Sequence, residues 1–326
     1  MNRAISDYHY SNPDFSAIAG KQALLHTLVY FDIFQYPLRL SEILQFSKLV
    51  ADRESAQQWL GELMEAGMVF QKGEFFLLRN DPGLCTRRVA GNRQADVLLH
   101  KAKRIGRFLN RFPFVRAVGI SGSLSKGYAD KNADIDFFII TAPNRLWIAR
   151  TFMHLFKKLT FLAGKQHYYC MNYYIDETAL SLEEQNIFTA IEIKTLLPVS
   201  GASVMNLFFR QNTWANNFLP ACAFRQQEQP EPQRTYFKNG MEWLLGNKMG
   251  QQLDNFLMRI TRNRWNKKEE RGKKNIKGFE MGLISGKHFA RSDPGRFQEQ
   301  VLQSYQQRIL ALERKEKTSS GKLFPL

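Results

Sequence analysis

"AVGISGSLSKGYADKNADIDFFII", residues 117–140, decides how this chain reads. An apolar run ends at Gly122-Ser123, a polar stretch follows, and Asp134 and Asp136 stand directly before a second apolar run. Set on a strand, the two carboxylates share a face with Phe138 and Ile140, while Ile135, Phe137 and Ile139 line the other. Apolar residues on both faces predict a strand covered on both sides. Two bare carboxylates at its start repel each other and resist desolvation. A divalent cation removes both costs, and hard oxygen donors suit Mg²⁺ or Mn²⁺. An isolated Asp-x-Asp is usually a solvated loop end, but this one has company. Gly122 lets a phosphate approach the backbone, and free amides with the Ser123 hydroxyl can donate to it. Lys126 adds a cation, and Gly127 relieves crowding one residue later. The pattern predicts a nucleoside triphosphate held with its metal between neighbouring strands, so that a hydroxyl can attack the α-phosphorus in line.

This arrangement resembles the nucleotidyltransferase fold of the DNA polymerase β superfamily, whose pattern is a strand, Gly-Ser or Gly-Gly, about ten residues, then Asp-x-Asp on the next strand. Here ten residues separate Gly122-Ser123 from Asp134-Ile135-Asp136, and the likeness covers roughly residues 95–200. The resemblance implies Asp134 and Asp136 as catalytic metal ligands, with Gly122 and Ser123, and Lys126 and Gly127 behind them, on the triphosphate. It also implies a third carboxylate on a later strand. The matching stretch is "CMNYYIDE", with Asn172 at the expected place. Asparagine can ligate a metal weakly through its carbonyl but is no base. Asp176, four residues on, shares its strand face, and Glu192 lies on the following helix. Asp176 is therefore the third catalytic candidate beside Asp134 and Asp136, and Asn172 the third candidate metal ligand.

Working outward, residues 1–18 read as a polar lead-in. Residues 19–80 carry a helix from Lys21, a second capped by Ser41, a third capped by Asp52 and ended by Gly67, then two short strands around Lys72-Gly73. That order resembles a winged helix-turn-helix. "RNDPGL" (79–84) reads as a linker, and a basic amphipathic helix covers 85–110. Residues 85–200 form the nucleotidyltransferase domain: strands at 114–121, 135–141 and 167–175, a helix opened by Pro143 and closed by Gly164, and a helix launched by the capping box Ser181–Glu184. "TLLPV" ends it as a short edge strand. Residues 201–326 read as helical throughout. The expected fold class is α/β (α+β), multidomain, with a mixed sheet between the winged helix and the helical C-terminal region.

Charge narrows the partners. The chain has a net charge of +16, and between Arg259 and Lys277 nine basic residues face two acidic ones. A basic segment of this kind suits contact with a polyanion. The third helix of the N-terminal unit has the opposite sign: Asp52, Glu54, Glu62 and Glu65 against Arg53, a net −3, which disfavours sequence-specific DNA binding. Three separated cysteines, no leader pattern and no long apolar run point to a cytoplasmic protein without a membrane partner. The expected activity is Mg²⁺- or Mn²⁺-dependent transfer of a nucleoside monophosphate from an NTP to a hydroxyl or phosphate acceptor on RNA, protein or a small molecule. Two alternatives stay open. One is a catalytically degenerate nucleotide-binding or regulatory protein, favoured by Asn172; the other is a transcription regulator.

Overall fold

The structure, a computed structural model, describes residues 13–131, 133–162, 170–226, 235–274 and 278–319. It begins with α1 (Pro13–Asp32), β1 (Leu38–Arg39), α2 (Leu40–Phe46), α3 (Arg53–Glu65), β2 (Phe70–Lys72) and β3 (Phe75–Leu77). The strands form an antiparallel sheet in the order β1–β3–β2. Asp52 caps α3 as expected, its carboxylate accepting from the Ser55 N–H at 2.9 Å. Ser41 does not cap α2. The helix starts one residue earlier, at Leu40, and Glu42 reaches back to the N–H of Arg39.

The chain then enters α4 (Pro82–Leu109), which takes over the second half of the expected linker because Asp81 caps it and Pro82 fits its first turn. A mixed six-stranded sheet follows. Its strands are β4 (Val115–Ile120), β5 (Asp136–Thr141), β6 (Cys170–Asp176), β7 (Leu197–Ser200), β8 (Leu283–Ser285) and β9 (Phe289–Ser292), in the order β7–β4–β5–β6–β9–β8. Only β5 and β6 pair in parallel. As the two-faced apolar pattern requires, β5 is covered twice. Phe137 and Ile139 join a core with Leu98 and Ile105 of α4 and Trp147 of α6 (Leu146–Leu162). Phe138 and Ile140 pack on the opposite face with Ile193 of α7 (Ile187–Thr195) and with Met205 and Phe208 of α8 (Ala202–Gln211).

Two expectations for the rest of the chain fail. The capping box at Ser181 opens no helix. Glu184 is taken by Arg291, and α7 begins at Ile187 with Asn186 accepting from the Thr189 N–H at 3.0 Å. Nor is the C-terminal region helical throughout. After α9 (Tyr236–Leu245) and α10 (Lys248–Glu270), β8 and β9 return to extend the sheet before α11 (Phe297–Ser319). These strands are three and four residues long, too short to show a period in the sequence. The expected helix end at Gly164 and strand start at 167 lie outside the described residues. Core residues of the N-terminal unit also pack with Ala190 and Ile191 of α7 and Val301 of α11. No described helix is long and apolar enough to cross a membrane.

Candidate functional site

Strand β4 ends where β5 begins, so the loop between them sits at one end of the sheet, and the backbones meet there: the Ser121 N–H donates to the Asp136 carbonyl at 2.9 Å. The next residues, Gly122–Ser125, form a single helical turn, α5. Gly122 has φ +69°, and a Cβ there would lie 2.5 Å from Oδ2 of Asp136. Both facts require glycine. The glycine therefore sets the backbone directly against a carboxylate.

The turn already holds an anion, and it comes from the chain itself. One oxygen of Glu192, on α7, accepts from the Gly122 N–H at 3.3 Å, and the other from Nζ of Lys126 at 2.7 Å. The same ammonium donates to the Gly122 carbonyl at 3.1 Å. Across the site, Asn172 of β6 donates its side-chain N–H to Oδ1 of Asp136, while its carbonyl oxygen faces the Cys170 thiol at 3.1 Å. Gly122, Asp136, Asn172 and Glu192 line a cleft of about 270 Å³ together with Arg291, Asp293 and the rings of Phe138, Phe188, Phe208 and Phe297. Burial pushes the Tyr173 phenol at its edge above the ordinary tyrosine range, so it stays protonated there.

Gly122, Lys126, Asp136 and Asn172 thus come together, with Glu192 on Gly122 and Lys126 and Asn172 on Asp136. Ser123 is exposed at the mouth of the turn, and its carbonyl accepts from the N–H groups of Lys126 and Tyr128. Gly127 has φ +71° and turns the chain away from the cleft. Asp134 is not on the strand. Strand β5 starts at Asp136, leaving Asp134 in the loop before it, half-buried.

Asp176 is a correction. In the parallel β5–β6 pairing Asp136 aligns with Cys170, but Asp176 aligns with Thr141, at the other end of the sheet. There it is fully buried and committed to structure: its carboxylate accepts from the Asn144 N–H at 2.9 Å, the Thr178 N–H at 3.0 Å and the Thr178 hydroxyl, and meets Nδ1 of His288 at 2.8 Å. A group so placed cannot reach the cleft.

Four residues that no motif marked brace the turn from behind. Asn92 of α4 donates to the Gly127 carbonyl, and Tyr36 of the N-terminal unit donates to the Lys126 carbonyl at 2.8 Å. Arg88 joins them, donating to Asn92 at 2.8 Å and to the Pro37 carbonyl at 3.0 Å, with its guanidinium 3.6 Å from the Tyr36 ring centroid. From the other side Arg225 donates to the Ser125 carbonyl at 2.9 Å. Apart from the Arg88–Asn92 bond within α4, these contacts join residues 35 to 100 positions apart, so no local spacing could announce them.

Two carboxylates and an amide are a usable, if sparse, oxygen set for a hard cation. Of the three, Asp136 brings its carboxylate to the cleft for that role. Asn172 does not fit it in this arrangement, because its N–H, rather than its carbonyl, faces Asp136. Among the described residues no group of three or more His, Cys, Asp or Glu side chains is placed to hold a metal. No family model matches the chain, and no curated protein and no solved structure matches it significantly.

Proposed function

We propose that the cleft binds a nucleoside triphosphate with a divalent cation and transfers its nucleoside monophosphate to an acceptor hydroxyl. One observation carries this reading: a backbone N–H and a lysine ammonium converge on an anion directly beside Asp136. A terminal phosphate can take the place that the Glu192 carboxylate holds, since both offer oxygen acceptors to the same two donors. Asp134 and Asp136 would hold the cation, which when bound offsets the negative charge building on the phosphates. Gly122 and Lys126 fix the phosphate tail, so that the α-phosphorus faces the open cleft. The acceptor oxygen bonds to that phosphorus, the bond to pyrophosphate breaks, and the acceptor's proton passes to a carboxylate. Glu192, displaced from the cradle by the triphosphate, is the group on this chain best placed to take it. The three helices and hairpin of residues 19–80 support the winged-helix reading, with the acidic α3 facing protein rather than DNA.

A degenerate, nucleotide-binding protein is the second reading, and the Asn172–Asp136 bond favours it. The two separate by incubating the protein with each labelled NTP, Mg²⁺ or Mn²⁺ and cell extract as acceptor, in the wild type and in Asn172→Asp. A working enzyme labels an acceptor and loses that activity in Asp136→Ala. A degenerate one labels nothing until Asn172→Asp restores the missing carboxylate, a change worth ~10²–10⁴-fold where a general base is supplied. If neither form labels an acceptor or binds an NTP, both readings fall.

A further inference from the structure

Helix α9 is built inside out. Its Lys238 is buried, with Nζ donating to the carbonyls of Asn110 at 2.8 Å and Val115 at 2.6 Å. Its Glu242 also turns inward, accepting from the Phe114 N–H at 2.7 Å and from Arg116 at 2.8 Å. The apolar stripe points to solvent instead. Tyr236, Phe237, Trp243 and Leu244 fall within one arc of about 120° at 100° per residue, and Tyr236 and Trp243 are 98% and 84% exposed. An amphipathic helix normally does the reverse.

The stripe continues onto α6. The rings of Phe237 and Phe152 meet at 6.5 Å, and Phe152 shares its helical face with Leu155, Phe156 and Leu159, of which both leucines are exposed. Cations gather beside this surface. Burial, then Lys273, Arg150, Lys158 and Arg264 in turn, hold the Lys268 ammonium below the ordinary lysine range, so four like charges act on it. None of the five has an ion-pair partner among the described residues. Arg150 is nearly buried, its guanidinium resting 5.6 Å from the Trp147 ring centroid with no carboxylate beside it. Like charges packed so closely cost stability until an anion meets them.

We propose that the face formed by α6, α9 and the C-terminal half of α10 docks on a lipid bilayer surface bearing anionic headgroups. An interfacial site needs protruding aromatic and aliphatic groups with a cationic flank, and this face supplies both. Exposed leucines decide against single-stranded nucleic acid, because Leu155, Leu159 and Leu244 have no ring for a base to stack on. A second copy of the chain fits poorly too, since it would bring the same cations, and another net +16, against this face. The contact is peripheral and involves no spanning segment. It departs from the expectation of no membrane partner, which rested on the lack of a leader pattern and of a long apolar run.

Flotation of the full chain with lipid vesicles tests this, without NTP, so the result stands apart from the reading of the cleft. The protein should float with vesicles of phosphatidylcholine mixed with phosphatidylserine, bind phosphatidylcholine alone far more weakly, and release as sodium chloride is raised. The double variant Tyr236→Ser/Trp243→Ser removes groups that are almost wholly exposed and should lower the partition coefficient at least ~10-fold. Lys158→Glu/Arg264→Glu should abolish the preference for anionic vesicles. No anionic preference, or binding untouched by these changes, overturns the proposal. So does single-stranded RNA binding that these variants abolish while vesicles stay unbound. A dimer in sedimentation that Tyr236→Ser/Trp243→Ser dissolves would show that the face is a self-interface instead.

Discussion

Glu192 holds the place that the proposed phosphate needs. Its two bonds are charge-assisted on the carboxylate side, each worth about 1.5–3 kcal/mol when well formed, and it is about a third exposed, so water weakens them. An incoming anion must first displace it. Glu192→Gln weakens that internal competitor without a change of size. Calorimetry should therefore show metal-free pyrophosphate binding the variant at least ~10-fold more tightly than the wild type. Equal affinities would mean that Glu192 does not occupy the phosphate position. At this scale the sequence made half the site legible. Gly122 and Asp136 announce themselves because a glycine after a strand and a carboxylate before one are local patterns. The contact of Glu192 with Gly122 spans 70 residues, and it depends on how α7 crosses the sheet. Asp176 misled for a related reason. Sharing a strand face with Asn172 says nothing of how far along the strand the cleft extends, and the pairing with Thr141 puts it beyond reach.

Elements were legible where burial writes a period into the chain. Strand β5, apolar on both faces, and helix α4, amphipathic over 28 residues, are of this kind. Strands β8 and β9 are not, and only the pairing of β9 with β6 and of β8 with β9 reveals them. Tertiary partners also replaced local ones at helix ends. The first turn of α6 has free N–H groups, and Asp254 of α10 caps one of them, accepting from the Ile148 N–H at 2.8 Å. Burial pushes this carboxyl up to about 6 against the opposing pull of those N–H groups. Since its folded value lies above the unfolded one, the folded state favours the protonated form. The stability that this contributes is full below the unfolded value and is lost as pH rises through about 6. Asp254→Asn keeps an acceptor for Ile148 and carries no charge. Its melting temperature should match the wild type near about pH 4 and exceed it near about pH 8, by an amount on the order of 2 kcal/mol in stability. A gap that does not change with pH would contradict the assignment.

Over the whole molecule, the N-terminal unit is tied to the cleft rather than appended to it. Tyr36 holds the Lys126 carbonyl directly, and the Pro37 carbonyl beside it anchors Arg88, which orients Asn92 on the Gly127 carbonyl. Burial raises the Tyr36 phenol beyond titration in the working range, so its hydroxyl remains a donor. Helix α11 clasps the same unit from outside, with the Tyr305 and Tyr30 rings 5.8 Å apart and Arg308 on Asp32. Tyr36→Phe removes one hydrogen bond to the cradle and leaves the ring in place. It should weaken metal–NTP binding about 2–10-fold, the range of a single neutral hydrogen bond, with a smaller effect on the melting temperature. An unchanged affinity in a titration would detach this unit from the site.

The measurement that bears most directly on the central claim is calorimetry of Mg²⁺–ATP and its three counterpart triphosphates, with the wild type beside Asp136→Ala and Lys126→Ala. The wild type should bind at least one triphosphate far more tightly when the cation is present. Removing either side chain should cost one to a few kcal/mol of that affinity, as expected for a single charged contact. Metal-dependent binding that survives both substitutions, or a wild type that binds no triphosphate with any divalent cation, would contradict it.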